Sequence, residues 1–566
     1  MAEHLQYTSL LIRSLYQHGV RHAIISPGSR STPLTIAAAI HPGIEKKVVL
    51  DERSAAFMAL GIGKKTGLPA LLICTSGTAL ANYYPAVIEA KESGVPMIII
   101  SADRPPALRG IGSSQTIDQL NIFGNRVLYF HEAGEPTGAL SDIKRIHSLG
   151  QQVVDIATSR GGAVHINFPF RKPLEPSKEQ LNKQIQLSEK QAKDHNMPEN
   201  AISGRVIHLN STILSLLAAS ERPLILCGPA DPARSLQQLA RKTGELLNAP
   251  FIAEPGSSIN YQEGDINRYE QFLRDPKQIS GLKPDLILRF GDQPFTKSLL
   301  TALESWSDVL TIHFNAREEM QDHNLSVDYH LHCEANDDFN FSKINKKSSS
   351  DWLLKWNNMD QNSDSVLAGE LSAEPKLTDG HIFHHLSTTL DDNWNMMLSN
   401  SFPARDMALF GKHRKNQFVN RGAAGIDGIL STAIGQHISG DQPTCCIIGD
   451  LAFLHDSNAL LSLNTMKYPF ISVVINNGGG TIFRMLPVST MNHNIDNTDL
   501  YKTYFETPQQ SDLKKLTEAN GINFIRITNL EDLRQLDLND FDDSTIIECM
   551  TDADRSMSLR KNLWQN

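Results

Sequence analysis

The sequence predicts an α/β protein made of three doubly wound parallel-sheet domains. Short runs rich in Ile, Val and Leu alternate with segments of helical length along most of the chain. Because parallel strands are buried on both faces and need a crossover between them, this alternation is typical of βαβ units. The length of 566 residues corresponds to about three domains of ordinary size.

The predicted elements follow the apolar runs in chain order. Strands are predicted at 22–26, 47–50, 70–74, 96–101, 223–228, 284–292, 444–450 and 469–477. Helices are predicted at 1–19, where the pattern is amphipathic, and at 31–40, 53–67, 78–94 and 455–466. Two polar stretches, 176–200 and 334–365, are interpreted as linkers, which gives domains at 1–180, 200–340 and 365–566.

Composition argues against several classes of function. The net charge of −10 argues against nucleic acid as a partner, because phosphate binding needs a basic surface. No apolar stretch approaches the length of about 20 residues that a membrane span requires. The six cysteines form no CxxC pair, and the N-terminus has no signal-peptide pattern. A cytoplasmic protein with reduced thiols is therefore expected.

Polar residues follow the first four predicted strands, in the sequences SPGSRS, DER, TSGT and ADRP. Because ligands bind outside the carboxyl ends of strands in open parallel sheets, these loops predict a binding edge. Arg30, near a helix start, suits a carboxylate or phosphate, and Glu52 is expected to be partly buried and able to exchange a proton. The alternatives are a capped helix start with a surface arginine, and a solvated glutamate in a first helical turn.

The strongest local signal is the pair of sequences Gly449-Asp450 and Asn-Asn-Gly-Gly-Gly at 476–480. Each follows an apolar run, and one helix lies between them, so the two loops should meet at one edge of a sheet. Asp450, Asn477 and a glycine carbonyl would supply oxygen ligands of the kind that Mg²⁺ prefers beside phosphate. The alternative is two ordinary turns.

Together these motifs resemble a known family. The sequences SPGSRSTPL, DERSAAFMALG, TSGTALANYYPAVIEA, ADRP, NRGAAGIDG and GDLAFLHD resemble the 2-succinyl-5-enolpyruvyl-6-hydroxy-3-cyclohexene-1-carboxylate (SEPHCHC) synthase family of thiamine-diphosphate enzymes. The resemblance extends over about residues 5–490. It implies a pyrimidine-binding, a central and a diphosphate-binding domain in that order, in a homodimer or homotetramer whose active sites lie at subunit interfaces.

The resemblance also implies roles for individual residues. Glu52 matches the carboxylate that hydrogen-bonds the aminopyrimidine ring of the cofactor. Asp450, Asn477 and the Gly479 carbonyl match ligands of Mg²⁺ or Mn²⁺, Gly449 lies beside them, and Ile426 matches an apolar wedge under the bent cofactor. The positions that match substrate contacts are Ser29, Arg30, Arg104, Gln115, Lys297, Ser401, Arg405, Arg421, Ile482, Phe483 and Leu486.

The family reaction implied for this chain is decarboxylation of 2-oxoglutarate and 1,4-addition to isochorismate in menaquinone biosynthesis. Each substrate carries two carboxylates, so a cationic pocket is expected, although each matched cation alone could be a surface charge. Ser114 departs from the Asn that is commoner in relatives. The alternatives are another thiamine-diphosphate carboligase, such as an acetolactate synthase-like enzyme, and an inactive protein that keeps the fold.

Two further signals are set aside. His381, His384 and His385 show helical spacing but have no evident carboxylate beside them, so a metal site there is not expected. The turn at 227–235 lacks the GxGxxG pattern of a dinucleotide site.

Overall fold

The computed structural model describes residues 2–136, 139–193, 206–341, 344, 350–412, 416–490, 494–495 and 498–565. The chain forms two compact units. The first contains Met1–Ala201, Asn420–Asp441 and Asp456–Ser462, and the second contains Ile202–Val419, Gln442–His455 and Leu463–Asn566.

The first part of the chain forms a six-stranded parallel sheet with the strand order β2-β1-β3-β4-β6-β5. Its elements are α1 (Ala2–Gln17), β1 (His22–Ile25), α2 (Thr32–Ile40), β2 (Glu45–Val48), α3 (Glu52–Thr66), β3 (Ala70–Cys74), α4 (Thr78–Ala81), α5 (Tyr84–Ser93), β4 (Met97–Asp103), β5 (Tyr129–Glu132), α6 (Leu140–Arg160), β6 (Ala163–Pro169) and α7 (Lys178–Lys193), with 3₁₀ turns at Pro106–Leu108 and Gly124–Arg126.

The middle of the chain forms a five-stranded parallel sheet with the order β12-β11-β10-β8-β9, beside the parallel pair β7 and β13. Its elements are β7 (Val206–Ile207), α8 (Ser211–Ala219), β8 (Pro223–Cys227), α9 (Gln237–Leu247), β9 (Phe251–Ala253), α10 (Tyr269–Phe272), α11 (Pro276–Gly281), β10 (Leu286–Phe290), α12 (Lys297–Ser305), β11 (Leu310–Asn315), β12 (Tyr329–His332) and β13 (Asp338–Phe339), with a 3₁₀ turn at Pro232–Arg234.

The last part forms a six-stranded parallel sheet with the order β15-β14-β16-β17-β21-β20. Its elements are α13 (Ser350–Ala373), α14 (Asp379–Thr389), β14 (Asn395–Leu398), α15 (Phe402–Phe410), β15 (Gln417–Val419), α16 (Ile429–Ile438), β16 (Thr444–Gly449), α17 (Asp450–His455), β17 (Phe470–Asn476), the antiparallel pair β18 (Asn494–Ile495) and β19 (Thr498–Asp499), α18 (Leu513–Ala519), β20 (Asn523–Ile527), α19 (Leu530–Arg534), β21 (Thr545–Met550) and α20 (Ala553–Gln565). Shorter helical segments lie at Ser457–Thr465, Thr481–Met485, Pro487–Thr490, Lys502–Glu506 and Leu538–Asp540.

The burial pattern explains why these sheets are doubly wound. In the middle sheet, Ile225 and Leu288 belong to one buried cluster, and their chain neighbours Leu224 and Ile287 belong to another. Since successive side chains of a strand point to opposite faces, helices cover both faces of the sheet. The predicted fold class, three doubly wound parallel sheets, is confirmed.

The strand predictions are confirmed in every part of the chain, with small shifts of boundary. The predicted strand 47–50 is observed two residues earlier, at Glu45–Val48. The helix predicted near 455–466 is observed as α17 followed by the 3₁₀ segment Ser457–Thr465.

The interpretation of the polar stretches as linkers is wrong where the structure describes them. Residues 178–193 form helix α7, and Leu181 packs against the first hydrophobic core. Residues 350–373 form helix α13, in which Trp352 and Trp356 are buried one turn apart. A helix on a domain surface buries only a narrow apolar stripe, so its composition remains polar. Residues 194–200 lie outside the described residues. The division into domains at 1–180, 200–340 and 365–566 stays a prediction.

All six cysteines are buried, and no disulfide joins them. In the described ranges, no helix combines the length and the apolar character needed to cross a bilayer.

Candidate active site

Glu52 is the first residue of α3, directly after a strand end. The preceding Asp51 caps the helix by accepting a hydrogen bond from the Arg53 amide at 2.8 Å, and it also accepts one from Asn458 at 2.7 Å. The Glu52 side chain is half-buried, and in the described part of the chain no hydrogen bond to its carboxylate is found. The buried Cys74 and Tyr83 lie within electrostatic range of Glu52, and burial, together with Cys74 and Glu52, raises the pKa of Tyr83.

The position of α3 is fixed by close packing against α16. A methyl group added at Gly61 would lie 2.0 Å from the Thr432 carbonyl oxygen, and one added at Gly435 would lie 2.0 Å from the Met58 carbonyl oxygen. The two helices therefore touch backbone to backbone, which only glycine allows at these points.

The loop before α16 carries Arg421 and Ile426. The buried Glu89 of α5 holds this loop by accepting hydrogen bonds from the amides of Gly422 at 2.9 Å and Ala423 at 2.7 Å. Ile426 remains 40% exposed although it is large and apolar. Its side chain is therefore accessible to a ligand on a loop that Glu89 holds in place.

At the carboxyl edge of the first sheet, the structure brings Arg30, Arg104 and Gln115 together. Arg30 is buried and donates to the Phe170 carbonyl at 2.7 Å, while burial and the charge of Arg104 lower its pKa. Arg104 donates to the Ser114 carbonyl at 3.0 Å.

The loop at 114–115 is anchored to the loop after β3. Gln115 donates to the Ser76 carbonyl at 3.0 Å, and Ser76 donates to the Gln115 carbonyl at 3.1 Å. Ser29 is exposed in the neighbouring loop after β1. Two guanidinium groups held close together, one of them buried, favour an anion between them.

Asp450 and the glycine loop meet as predicted, because β16 and β17 are neighbours in the sheet. The Asp450 carboxylate faces the backbone amides of Gly478 and Gly479, and burial raises its pKa to about 6. Gly479 has a φ of +125°, and an added Cβ would lie 2.3 Å from the Glu506 carbonyl oxygen. Only glycine fits there, and Gly449 at the end of β16 also has open space beside it.

This loop fits a diphosphate-bound divalent cation. Asp450, Asn477 and the Gly479 carbonyl offer oxygen ligands, while the glycine backbone leaves room for phosphate. Over the described ranges, no group of three or more His, Cys, Asp or Glu side chains could hold a metal. A metal bound here would therefore rely on phosphate oxygens and water for its remaining ligands.

Two buried glutamates of the second unit surround the start of α12, where Lys297 lies. Glu254 accepts hydrogen bonds from the Phe295 and Thr296 amides, both at 2.9 Å, and from the Thr296 hydroxyl at 2.6 Å. Glu270 accepts one from the Ser298 amide at 3.2 Å. Burial raises the pKa of Glu254 to about 7.

The same two carboxylates act on Arg405 of α15. Burial lowers the pKa of Arg405, and the charges of Glu270 and Glu254 oppose this change. Arg405 donates to the Ser401 carbonyl at 2.7 Å, and Ser401 has an unusual φ of +73°. The structure thus brings Lys297, Ser401 and Arg405 into one region around the buried glutamates.

The predicted apolar wall lies just after the glycine loop. Ile482 and Phe483 belong to the 3₁₀ segment Thr481–Met485, and Leu486 follows it. Leu486 is 48% exposed, while the Phe483 ring packs edge-on against Phe505, with ring centroids 6.0 Å apart. These side chains therefore offer an apolar surface beside the candidate metal site.

The three histidines that were set aside have separate partners. His381 interacts with Thr378 in a capping box, His384 contacts the Phe410 carbonyl, and His385 contacts the Leu536 carbonyl. The sequence analysis missed the buried acids Glu89, Glu254 and Glu270, and it also missed the buried Asp379, which accepts a hydrogen bond from Asn477 at 3.2 Å. A buried acid looks like a surface acid in sequence until its distant partners are known.

Comparison with known proteins identifies the family. The description "thiamine pyrophosphate enzyme, N-terminal TPP binding domain" fits residues 5–122, and the corresponding C-terminal TPP binding domain fits residues 404–545. A 2-succinyl-5-enolpyruvyl-6-hydroxy-3-cyclohexene-1-carboxylate synthase of Chloroflexus aurantiacus is 33% identical over 99% of this chain and 95% of its own length. The chain belongs to the SEPHCHC synthase family.

Other members of the SEPHCHC synthase family give the same picture. Proteins of this name from Microcystis aeruginosa and Trichodesmium erythraeum are each 35% identical to this chain, over 93% and 98% of it. They are covered over 92% and 97% of their own lengths. The two TPP binding segments contain Glu52 and Asp450, respectively, whereas Lys297 and Ser401 lie between them.

Proposed function

We propose that this chain decarboxylates 2-oxoglutarate and adds the resulting four-carbon unit to isochorismate by 1,4-addition, giving SEPHCHC and CO₂ in menaquinone biosynthesis. The proposed cofactors are thiamine diphosphate and Mg²⁺ or Mn²⁺. The observation that carries the proposal is the meeting of Asp450 with the glycine loop, in a chain related to SEPHCHC synthases over nearly its full length.

Glu52 is the proposed proton-handling residue. When bound, thiamine diphosphate supplies the attacking carbon and accepts the electron pair released as CO₂ leaves. Glu52 would hold a proton against a ring nitrogen of the aminopyrimidine, for which its carboxylate is available at the start of α3. The apolar side chain of Ile426 would support the bent cofactor from below.

Asp450, Asn477 and the Gly479 carbonyl are the proposed metal ligands, beside Gly449. A divalent cation here would neutralise the diphosphate and so anchor the cofactor. The tight packing around Gly479 keeps its carbonyl in place and leaves no side chain in the way.

The substrate contacts are proposed from charge and position. Both substrates carry two carboxylates, so they need several cations to bind and orient them. Arg30 and Arg104 would act from the first sheet, together with Ser29 and Gln115. The other proposed contacts are Lys297, Ser401, Arg405, Arg421, Ile482, Phe483 and Leu486.

A homo-oligomer with active sites at subunit interfaces is part of the proposal. Val48 and Leu50, just before Glu52, are 65% and 71% exposed, and Leu461 is 55% exposed. The Lys47 side chain, which donates to the Ser462 carbonyl at 3.1 Å, links these two segments. An exposed apolar patch of this kind favours contact with a second copy of the chain. A cytoplasmic location is also proposed, consistent with six cysteines in no disulfide.

Purified protein supplied with both substrates, thiamine diphosphate and Mg²⁺ tests the function. We expect CO₂ release together with a product of the SEPHCHC mass, and neither when one substrate or the cofactor is omitted. Pyruvate should not replace 2-oxoglutarate, because one carboxylate cannot engage the same set of cations. Turnover of pyruvate to acetolactate, or no turnover of any 2-oxo acid, would contradict the proposal.

A further inference from the structure

The Asn477 side chain is held by a buried carboxylate that the proposed chemistry does not use. Asn477 Nδ2 donates a hydrogen bond to Asp379 Oδ2 at 3.2 Å. A side-chain amide has a donor end and an acceptor end. When Asp379 takes the donor end, the amide oxygen of Asn477 is left for another partner.

Asp379 itself cannot turn. It lies in the first turn of α14 and is 1% exposed. Its Oδ1 accepts from the Thr551 hydroxyl at 2.6 Å, and its backbone amide donates to Ser556 at 3.0 Å. Oδ1 is therefore engaged by Thr551, while Oδ2 accepts from Asn477.

A buried ion network also holds Asp379. Arg560 of α20 contacts Asp379 Oδ2 at 2.5 Å and Asp406 Oδ2 at 2.5 Å, and all three side chains are almost fully buried. Asp406 belongs to α15, next to Arg405. Two carboxylates share one guanidinium, the charge of Arg405 also acts on Asp406, and Asp379 lies within electrostatic range of Asp450.

We propose that Asp379 is a positioning residue for the metal: it orients the Asn477 amide so that its oxygen faces the cation. The inference rests on the proposed function, in which Asn477 is a metal ligand. Asp379 contacts neither metal nor cofactor and acts through Asn477. Hydrogen bonds that orient a metal ligand typically change metal affinity by about 10–100-fold when they are removed.

The variants Asp379→Asn and Asp406→Asn form a matched pair. Each removes one of the two negative charges around Arg560, at side chains that are 1% and 2% exposed. Of these two aspartates, Asp379 contacts Asn477 and Asp406 does not. A purely structural role of the network therefore predicts equal effects of the two substitutions, whereas a positioning role predicts unequal ones.

The measurement is a titration of Mn²⁺ into protein with saturating thiamine diphosphate, followed by electron paramagnetic resonance of free Mn²⁺. We expect Asp379→Asn to weaken Mn²⁺ binding by at least about tenfold, and Asp406→Asn by less than about threefold. Thermal unfolding of both variants is recorded in parallel. Equal weakening in the two variants, or none in Asp379→Asn, overturns the inference.

Two further variants keep the outcome unambiguous. If Asp379→Asn does not fold, Thr551→Val serves instead, because it removes one hydrogen bond from the same carboxylate. We expect this variant to bind Mn²⁺ more weakly than the wild type. Wild-type affinity in the folded variant overturns the inference. Asp450→Ala separates this inference from the proposed function. If the wild type binds no Mn²⁺, or Asp450→Ala binds it normally, the proposed metal site itself fails.

Discussion

The Glu52 carboxylate is half-buried and accepts no hydrogen bond in the described part of the chain, whereas Glu254 is fully buried and accepts three. An acid without internal partners is available to a ligand, and an acid saturated by backbone amides serves the structure around it. The surroundings, rather than the residue type, thus separate a proposed catalytic group from a group that holds its neighbours.

Glu52→Gln tests the catalytic group. Glutamine keeps the size of the side chain but cannot exchange a proton in the same way, so we expect kcat to fall by at least about 100-fold. Binding of thiamine diphosphate with Mg²⁺, followed by fluorescence titration, should change little because the diphosphate contacts remain. Unchanged turnover in this variant would remove Glu52 from the mechanism.

Glu254→Gln should change how stability depends on pH. The pKa of Glu254 is raised from 4.5 to about 7 by burial, so the folded state binds its proton more tightly than the unfolded state does. The wild type therefore loses stability as the pH rises through this window, by up to about 3 kcal/mol from this group. Glutamine does not titrate and escapes this loss.

Denaturant unfolding at pH 5 and pH 8 measures this effect. The free energy of unfolding of Glu254→Gln, taken relative to the wild type, should rise between the two pH values. Parallel pH profiles for the two proteins would show that Glu254 does not titrate in this range.

At the residue scale, the sequence predicted the residues at strand ends and missed those that support them. Asp450 and Asn477 could be proposed as site residues because each directly follows an apolar run, and ligand sites lie at strand ends. Asp379 could not, because its partner Asn477 is 98 residues away in the chain. Only the folded structure brings these two side chains into contact.

At the scale of elements, α3 and α16 act as one packed pair. Gly61 and Gly435 bring the backbones together, and α3 begins with Glu52 while α16 follows the loop of Ile426. Strands were predictable because their apolar runs are local. The helices α7 and α13 were not, because a mostly polar composition conceals the narrow stripe that each of them buries.

Gly61→Ala tests this helix pair. The added methyl group would lie 2.0 Å from the Thr432 carbonyl oxygen, so the helices must separate, and we expect a loss of about 1–3 kcal/mol in unfolding free energy. The matched control is Gly369→Ala in α13, where an added Cβ meets nothing within 4 Å. There alanine should stabilise the helix by about 0.5–1 kcal/mol. Equal effects in thermal unfolding would contradict the packing argument.

At the scale of the whole molecule, the net charge of the chain and the charge of the proposed substrate site have opposite signs. The chain carries a net charge of −10, yet the proposed contacts with the dianionic substrates include four arginines and one lysine. The fold class was predictable because the alternation of strands and helices recurs along the whole chain. The surface of contact between subunits was not predictable, because exposed apolar residues such as Val48 and Leu50 look like core residues in sequence.

Mixing two inactive variants tests the assembly. If each active site takes Glu52 from one subunit and Asp450 from the other, a dimer of one Glu52→Gln and one Asp450→Ala subunit has one site with both defects and one with none. Heterodimers purified through two different affinity tags should then have about half the wild-type activity, since a twofold dimer has two equivalent sites. If both residues act within a single chain, neither site is intact and the activity stays at the level of the separate variants. Heterodimers as inactive as the two homodimers would therefore exclude active sites shared between subunits.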